Sequence, residues 1–100
     1  IGLETELGLF IDLLVHKHAK IDIARLIEMY TVEPARLLKL DAGTLSPGSC
    51  ADVTLIDAAL EWTVRADQFH SASRNSPFNG WKLKGRAART IVAGKTVWKL

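Results

Sequence analysis

Three histidines, one cysteine and a few carboxylates are the residues of this chain that could do chemistry. His16-Lys17-His18 spells H-x-H, a metal pair when it ends a β-strand, because side chains two apart on a strand point the same way. The sequence around it is helical, and on a helix residues two apart lie about 200° apart and cannot share an ion. The pair therefore reads as one solvated imidazole, His16 facing out beside Asp12, and one packed imidazole, His18, at the edge of the apolar side. His70 has no second imidazole or carboxylate at a ligand spacing and reads as a loop residue. Cys50 sits in a turn with no adjacent histidine to draw its proton, so it reads as a small turn residue, not a nucleophile. Asp52 and Asp57 fall on opposite faces of one strand and read as turn and edge acceptors. Lys82, Lys84 and Arg86 make a basic stripe beside Trp81. A single-strand nucleic-acid platform needs aromatic partners along such a stripe, so the solvated face of an amphipathic strand is the better account.

The elements that would carry these residues divide the chain in two. Residues 1–19 form a helical pattern, with Leu3, Leu7, Phe10, Ile11, Leu14 and Val15 at three- and four-residue spacing and a polar strip of Gly8, Asp12 and His16. Leu9 and Leu13 widen the apolar stripe beyond what a surface helix needs, so this helix is expected to touch partners on two sides. Asp22 is placed to cap a second helix in which Ile23, Leu26, Ile27 and Tyr30 share a face. Thr31 can cap a third, with Pro34 in its first turn and Ala35, Leu37, Leu38 and Leu40 on its buried side. Gly43 can supply the positive φ that closes this run, and Pro47-Gly48 makes a tight turn. From there the period changes to two. Residues 51–57 read as a strand with Val53 and Leu55 on one face and Asp52, Thr54 and Ile56 on the other. Residues 61–65 read as a second strand, with Trp62 and Val64 on the same side. Residues 66–80 are turn-rich and read as a long ordered loop with one helical turn near Gln68. Residues 81–92 read as a strand in which Gly85 marks a bulge, and Ala93-Gly94 is a two-residue hairpin signal returning residues 95–99 as the last strand.

Composition narrows the function classes. At 48% hydrophobic and 24% charged residues, the 100 residues read as one modest globular domain with a thin core. A formal charge of +2 is too small to imply nucleic acid or an anionic membrane as partner. The single cysteine excludes an internal disulfide and a cysteine metal cluster, and points to a reducing, cytoplasmic setting. The apolar run at residues 7–15 is broken by Asp12 and is far shorter than the roughly 20 residues of a membrane span. It has neither a basic lead-in nor a cleavage site, so it is not a signal peptide. The chain opens on Ile1 and enters a helical pattern at once, which reads as a piece of a longer protein.

Five segments carry a resemblance. They are Gly2-Leu3-Glu4-Thr5, Thr31-Val32-Glu33-Pro34-Ala35-Arg36, and the run DAGTLSPGSCADVTLID from Asp41 to Asp57. The others are Ser73-Arg74-Asn75-Ser76-Pro77-Phe78-Asn79-Gly80-Trp81 and Thr90-Ile91-Val92-Ala93-Gly94-Lys95. Together they resemble the C-terminal part of dihydroorotases, cyclic amidohydrolases of the type close to allantoinases and hydantoinases. The run ending in A-D-V-x-L-I-D specifies only the superfamily, whereas R-N-S-P-F with G-W favours dihydroorotase.

The resemblance implies an α+β fold. Residues 1–42 would be the last helices of a (β/α)8 barrel, and residues 43–100 the C-terminal strands of its small β-sandwich domain, which N-terminal strands complete in the family. It also implies a parent enzyme that interconverts L-dihydroorotate and N-carbamoyl-L-aspartate in pyrimidine synthesis, using zinc. The family's metal ligands match nothing here, so no catalytic, cofactor-binding or metal residue is expected in these 100 residues, which alone should be inactive. The loop Asn75-Ser76-Pro77-Phe78 is then the one to watch, with Phe78 and Trp81 expected to anchor it onto the barrel.

Two classes of function stay open. In the first, the chain is part of a dihydroorotase, or of an allantoinase or dihydropyrimidinase/hydantoinase, and its partner is the rest of that barrel. In the second it is a non-catalytic interaction module. Each large apolar side chain left in water forfeits roughly 1.5–3 kcal/mol, so spare apolar surface and an open sheet edge would drive self-association.

Overall fold

The computed structural model describes all 100 residues. Helix α1 spans Leu3–Phe10 and runs without a break into a π-helical turn, Ile11–Lys17, closed by the His18 N–H donating to the Leu13 carbonyl at 2.8 Å. Two short helices follow, α2 (Ile23–Tyr30) and α3 (Val32–Leu37). Strands β1 (Val53–Thr63), β2 (Lys82–Val92) and β3 (Lys95–Lys99) then form an antiparallel sheet in that order. A single 3-10 turn, Ala66–Gln68, interrupts the loop between β1 and β2.

Local signals were accurate. Asp22 caps α2, its Oδ1 accepting the Arg25 N–H at 2.8 Å, and Leu26 on the predicted face is wholly buried. Ala93 and Gly94 both take positive φ, +49° and +77°, as a two-residue hairpin turn requires. The donors of that turn are taken by the residues just before β1. The Ala93 N–H donates to Asp52 Oδ1 at 2.8 Å and the Gly94 N–H to the Ala51 carbonyl at 2.9 Å.

Three expectations are corrected. Residues 53–63 form one strand, not two. The apparent break is a bulge in which residues 58–60 stand opposite Gly85 alone, between the pairs Asp57↔Arg86 and Glu61↔Lys84. A second irregularity, between Leu55 and Ile56, moves Ile56 to the inner face with Val53 and leaves Leu55 exposed. In α3 only Ala35 is buried. Leu37 is 81% exposed, and Leu38 and Leu40 also face solvent, because the helix stops at Leu37 and Lys39, not Gly43, takes the left-handed turn that ends it. Thr31 does not cap α3 either, as its hydroxyl donates back to the Ile27 carbonyl at 2.7 Å.

The third correction concerns the face of α1. Thr5, Gly8, Leu9, Ile11 and Asp12 are buried, while Leu3 is 89% exposed. The strip read as polar and outward is the one laid on the sheet. Gly8 lets the helix approach, since a Cβ there would lie 2.7 Å from Trp62 Cζ2. Gly85 does the same from β2, where φ is +107° and a Cβ would strike Ile11. The core beside this crossing is Leu9, Val64, Ala66, Phe69 and Leu83, with Leu13, Trp62 and Phe78 packed against it.

Candidate functional site

The side chains with chemical potential are spread over the molecule, and no group of three or more His, Cys, Asp or Glu residues is placed to hold a metal ion. A zinc site with three or four protein ligands does not fit the residues present. His18, His70 and Cys50 are exposed. For His18 this corrects the packed placement, since the π-turn carries an extra residue per turn and swings it off the apolar side. His16, expected to face away, has Nε2 2.6 Å from the Ala58 carbonyl of the bulge and donates to it. Asp12 is 3% exposed and its Oδ1 accepts the Lys84 N–H at 3.0 Å. Its Oδ2 makes no hydrogen bond but lies 2.9 Å from the half-exposed Lys17 ammonium, an ion pair by distance.

Asp52 and Asp57 act as backbone acceptors, Asp57 Oδ1 receiving the Ala59 N–H at 3.0 Å. The basic stripe is solvated at Lys82 but not at Arg86. That guanidinium lies 4.4 Å from the ring centre of Trp62 and 5.8 Å from that of Trp98, and burial pulls its pKa below the ordinary value. Trp62 follows the three-residue bulge on β1, and Trp98 reaches the same guanidinium from β3.

The loop of residues 69–81 is the best organised irregular segment, and Glu4 does much of that work. Glu4 Oε1 accepts the Ser71 N–H at 2.8 Å and the Ser71 hydroxyl at 2.6 Å, and Oε2 accepts the His70 N–H at 3.1 Å. Desolvation pushes this carboxyl up, but those donors and the nearby His70 outweigh it and hold its pKa below 4.5. Arg74 donates to the Ser71 carbonyl, and Asn79 Oδ1 accepts the Ala66 N–H at 2.9 Å. Phe78 meets Trp81 edge-on at 5.1 Å and packs against the core, while Trp81 stays 47% exposed. Glu4 was visible beforehand only as part of a motif. Its role depends on a loop 66 residues away in sequence.

A concavity of about 550 Å³ lies between α2, the turn after α3 and β1. Leu7, Ile27, Tyr30, Val53 and Ile56 line it with residues 41–45. Tyr30 donates to Glu6 Oε1 at 2.7 Å, and burial together with that carboxylate raises its pKa strongly. The cleft has an apolar wall, and Tyr30, Asp41, Cys50 and Asp52 stand among its lining.

Residues 4–97 match the Amidohydrolase family. Among curated relatives, a dihydroorotase from Geotalea daltonii is 50% identical over 99 residues, and one from Citrifermentans bemidjiense is 46% identical over the same length. Each comparison covers 99% of this chain and 23% of the relative, so the chain spans about a quarter of the length of the curated proteins it matches. Among solved structures, the L-hydantoinase (dihydropyrimidinase) from Arthrobacter aurescens superposes with a TM-score of 0.90 at 35% identity. That match covers 99% of this chain and 22% of the hydantoinase. A D-hydantoinase gives 0.84 at 26% identity over 98% of this chain and 21% of its own. The arrangement of helices and three-stranded sheet is therefore one found within hydantoinases.

Proposed function

The chain belongs to the amidohydrolase family, and from that premise we propose that it is the C-terminal portion of a dihydroorotase. The parent reaction is the reversible, zinc-dependent hydrolysis of L-dihydroorotate to N-carbamoyl-L-aspartate in pyrimidine biosynthesis. The observation that carries this reading is identity of 42–50% with proteins named dihydroorotase over nearly the whole chain. In this reading residues 1–42 are closing helices of a (β/α)8 barrel and residues 43–100 the C-terminal strands of the small β-domain. The catalytic residues and the metal ligands lie in the rest of the polypeptide, and the reaction takes place in the cytoplasm. What these residues contribute is position. Gly8 and Gly85 bring α1 against β2, and Glu4 fastens the loop of residues 69–81 to the first turn of α1.

The barrel partner accounts for surface that is otherwise uneconomical. Leu37, Leu38, Leu40 and Leu45 are all more than half exposed, and the outer edge of β1 has no neighbouring strand. Residues 1–100 produced alone are expected to self-associate through that surface, as a module without activity.

A second reading, a hydantoinase or dihydropyrimidinase, is favoured by the structural likeness at a TM-score of 0.90. Turnover separates the two. The natural polypeptide containing these residues is expected to hydrolyse L-dihydroorotate, lose activity on chelation and regain it with zinc. Hydrolysis of hydantoins without dihydroorotate turnover would replace the first reading by the second. Residues 1–100 alone are expected to show no turnover, and any would place catalytic groups in this chain.

A further inference from the structure

The crossing of α1 and β2 is joined by hydrogen bonds in a way apolar packing does not require. The bulge of residues 58–60 interrupts the ladder opposite Gly85, and side chains meet three of the backbone groups around it. Asp12 accepts the Lys84 N–H, the Trp62 indole N–H donates to the Gly85 carbonyl at 2.9 Å, and His16 donates to the Ala58 carbonyl. Apolar contacts survive a slide or rotation of a helix, whereas directional bonds to buried groups do not. The bonds from Asp12 and His16 come from within Ile11–Lys17, the stretch that departs from α-helix. A seven-residue π-helix is rare, and such turns need a local cause. The two anchored side chains are the second and sixth of its seven residues and reach neighbouring strands, β2 and β1.

We propose that this π-turn is a conformational detent. Asp12 and His16, tied to the two sides of the bulge, hold the helix in its wide form. Without them it rewinds to an α-helix and carries Lys17 and His18 round the helix axis relative to the sheet. Lys17, the last residue of the turn, is held by the same carboxylate through its contact with Asp12 Oδ2. Asp12, Lys17, His16 and the bulge would thus move between two arrangements together. The proposal stands on geometry and is independent of the reaction assigned above.

The test is made on the natural polypeptide that contains these residues. In Asp12→Ala, the His18 N–H is expected to leave the Leu13 carbonyl for that of Leu14, seen in a crystal structure. Hydrogen exchange at the Lys84 amide should rise roughly tenfold, the loss of one buried hydrogen bond. Asp12→Asn keeps an oxygen in place and should retain both features. If Asp12→Ala folds with the Leu13 bond intact and Lys84 protected as before, the proposal is overturned. Should Asp12→Ala not fold, the wild-type protein decides. A through-bond NMR coupling from the Lys84 nitrogen to the Asp12 carboxyl carbon supports the detent, and its absence refutes it.

Discussion

The crossing of α1 with β2 and the stretch from α2 to the turn at Cys50 are built to different standards. At the crossing, two glycines, a buried isoleucine, a tryptophan and three side-chain hydrogen bonds meet within about two helical turns. From Ile21 to Cys50 only Leu26 and Ala35 are buried, and four leucines stand in solvent. The first region is finished by residues within this chain. The second leaves its apolar side chains in water, and in the function proposed above the rest of the polypeptide covers them.

The contrast can be broken at its strongest point. Gly85→Val places a branched side chain at φ +107° against Ile11 and the Ala58 carbonyl, and is expected to cost about 3 kcal/mol or more. Urea unfolding of the natural polypeptide measures it. A loss below 1 kcal/mol would mean the helix does not seat on β2 as closely as described. Leu26→Ala, at the best-buried point of the second region, should cost about 2–3 kcal/mol by the same measurement.

The sharper comparison uses one substitution in two contexts. Leu37→Ala should change the stability of residues 1–100 by only about 0.5 kcal/mol, because that side chain is already wet. In the longer polypeptide the same change should cost about 2 kcal/mol if the surface is covered. Equal small effects in both would show that nothing covers it. The mildest change is Glu4→Gln, about 0.5 kcal/mol, since the carboxylate is exposed and screened. Its pH dependence carries the information. The folded pKa lies below the ordinary 4.5, so the contribution is present above that value and fades as pH falls through the folded pKa. Wild type and variant should therefore converge in acid, with hydrogen exchange at His70 and Ser71 as the local readout.

What the sequence disclosed follows from range. The cap at Asp22, the turn at Ala93-Gly94 and the single helical turn near Gln68 are local, and each forms where its residues predict. The helix face was misread because amphipathic periodicity assumes an apolar neighbour. Here the neighbour is a bulged strand pair offering the Lys84 N–H and the Ala58 carbonyl, and the polar strip of Gly8, Asp12 and His16 fits it better than leucine would. Strand β1 was split for the related reason that residues 58–60 look like an interruption until Gly85 stands opposite them. The leucines after Ala35 were assigned inward by period alone, which says that a face is apolar but not what meets it. Motifs located the family, while Cys50, His70 and Asp57 carry no spacing that names a reaction.

The hairpin turn has a bearing on the order in which the chain assembles. Strands β2 and β3 are neighbours in sequence and can pair early, but the donors of their turn are met only by Ala51 and Asp52, some 41 residues upstream. Before β1 pairs, the Ala93 N–H has only water to meet it; in the folded turn, at φ +49°, Asp52 takes it. The turn is therefore sealed late, by a long-range contact whose loop entropy is paid before the bond rewards it. Removing the Asp52 carboxylate should speed unfolding while leaving the folding rate almost unchanged, the kinetic mark of a clasp that closes after the transition state.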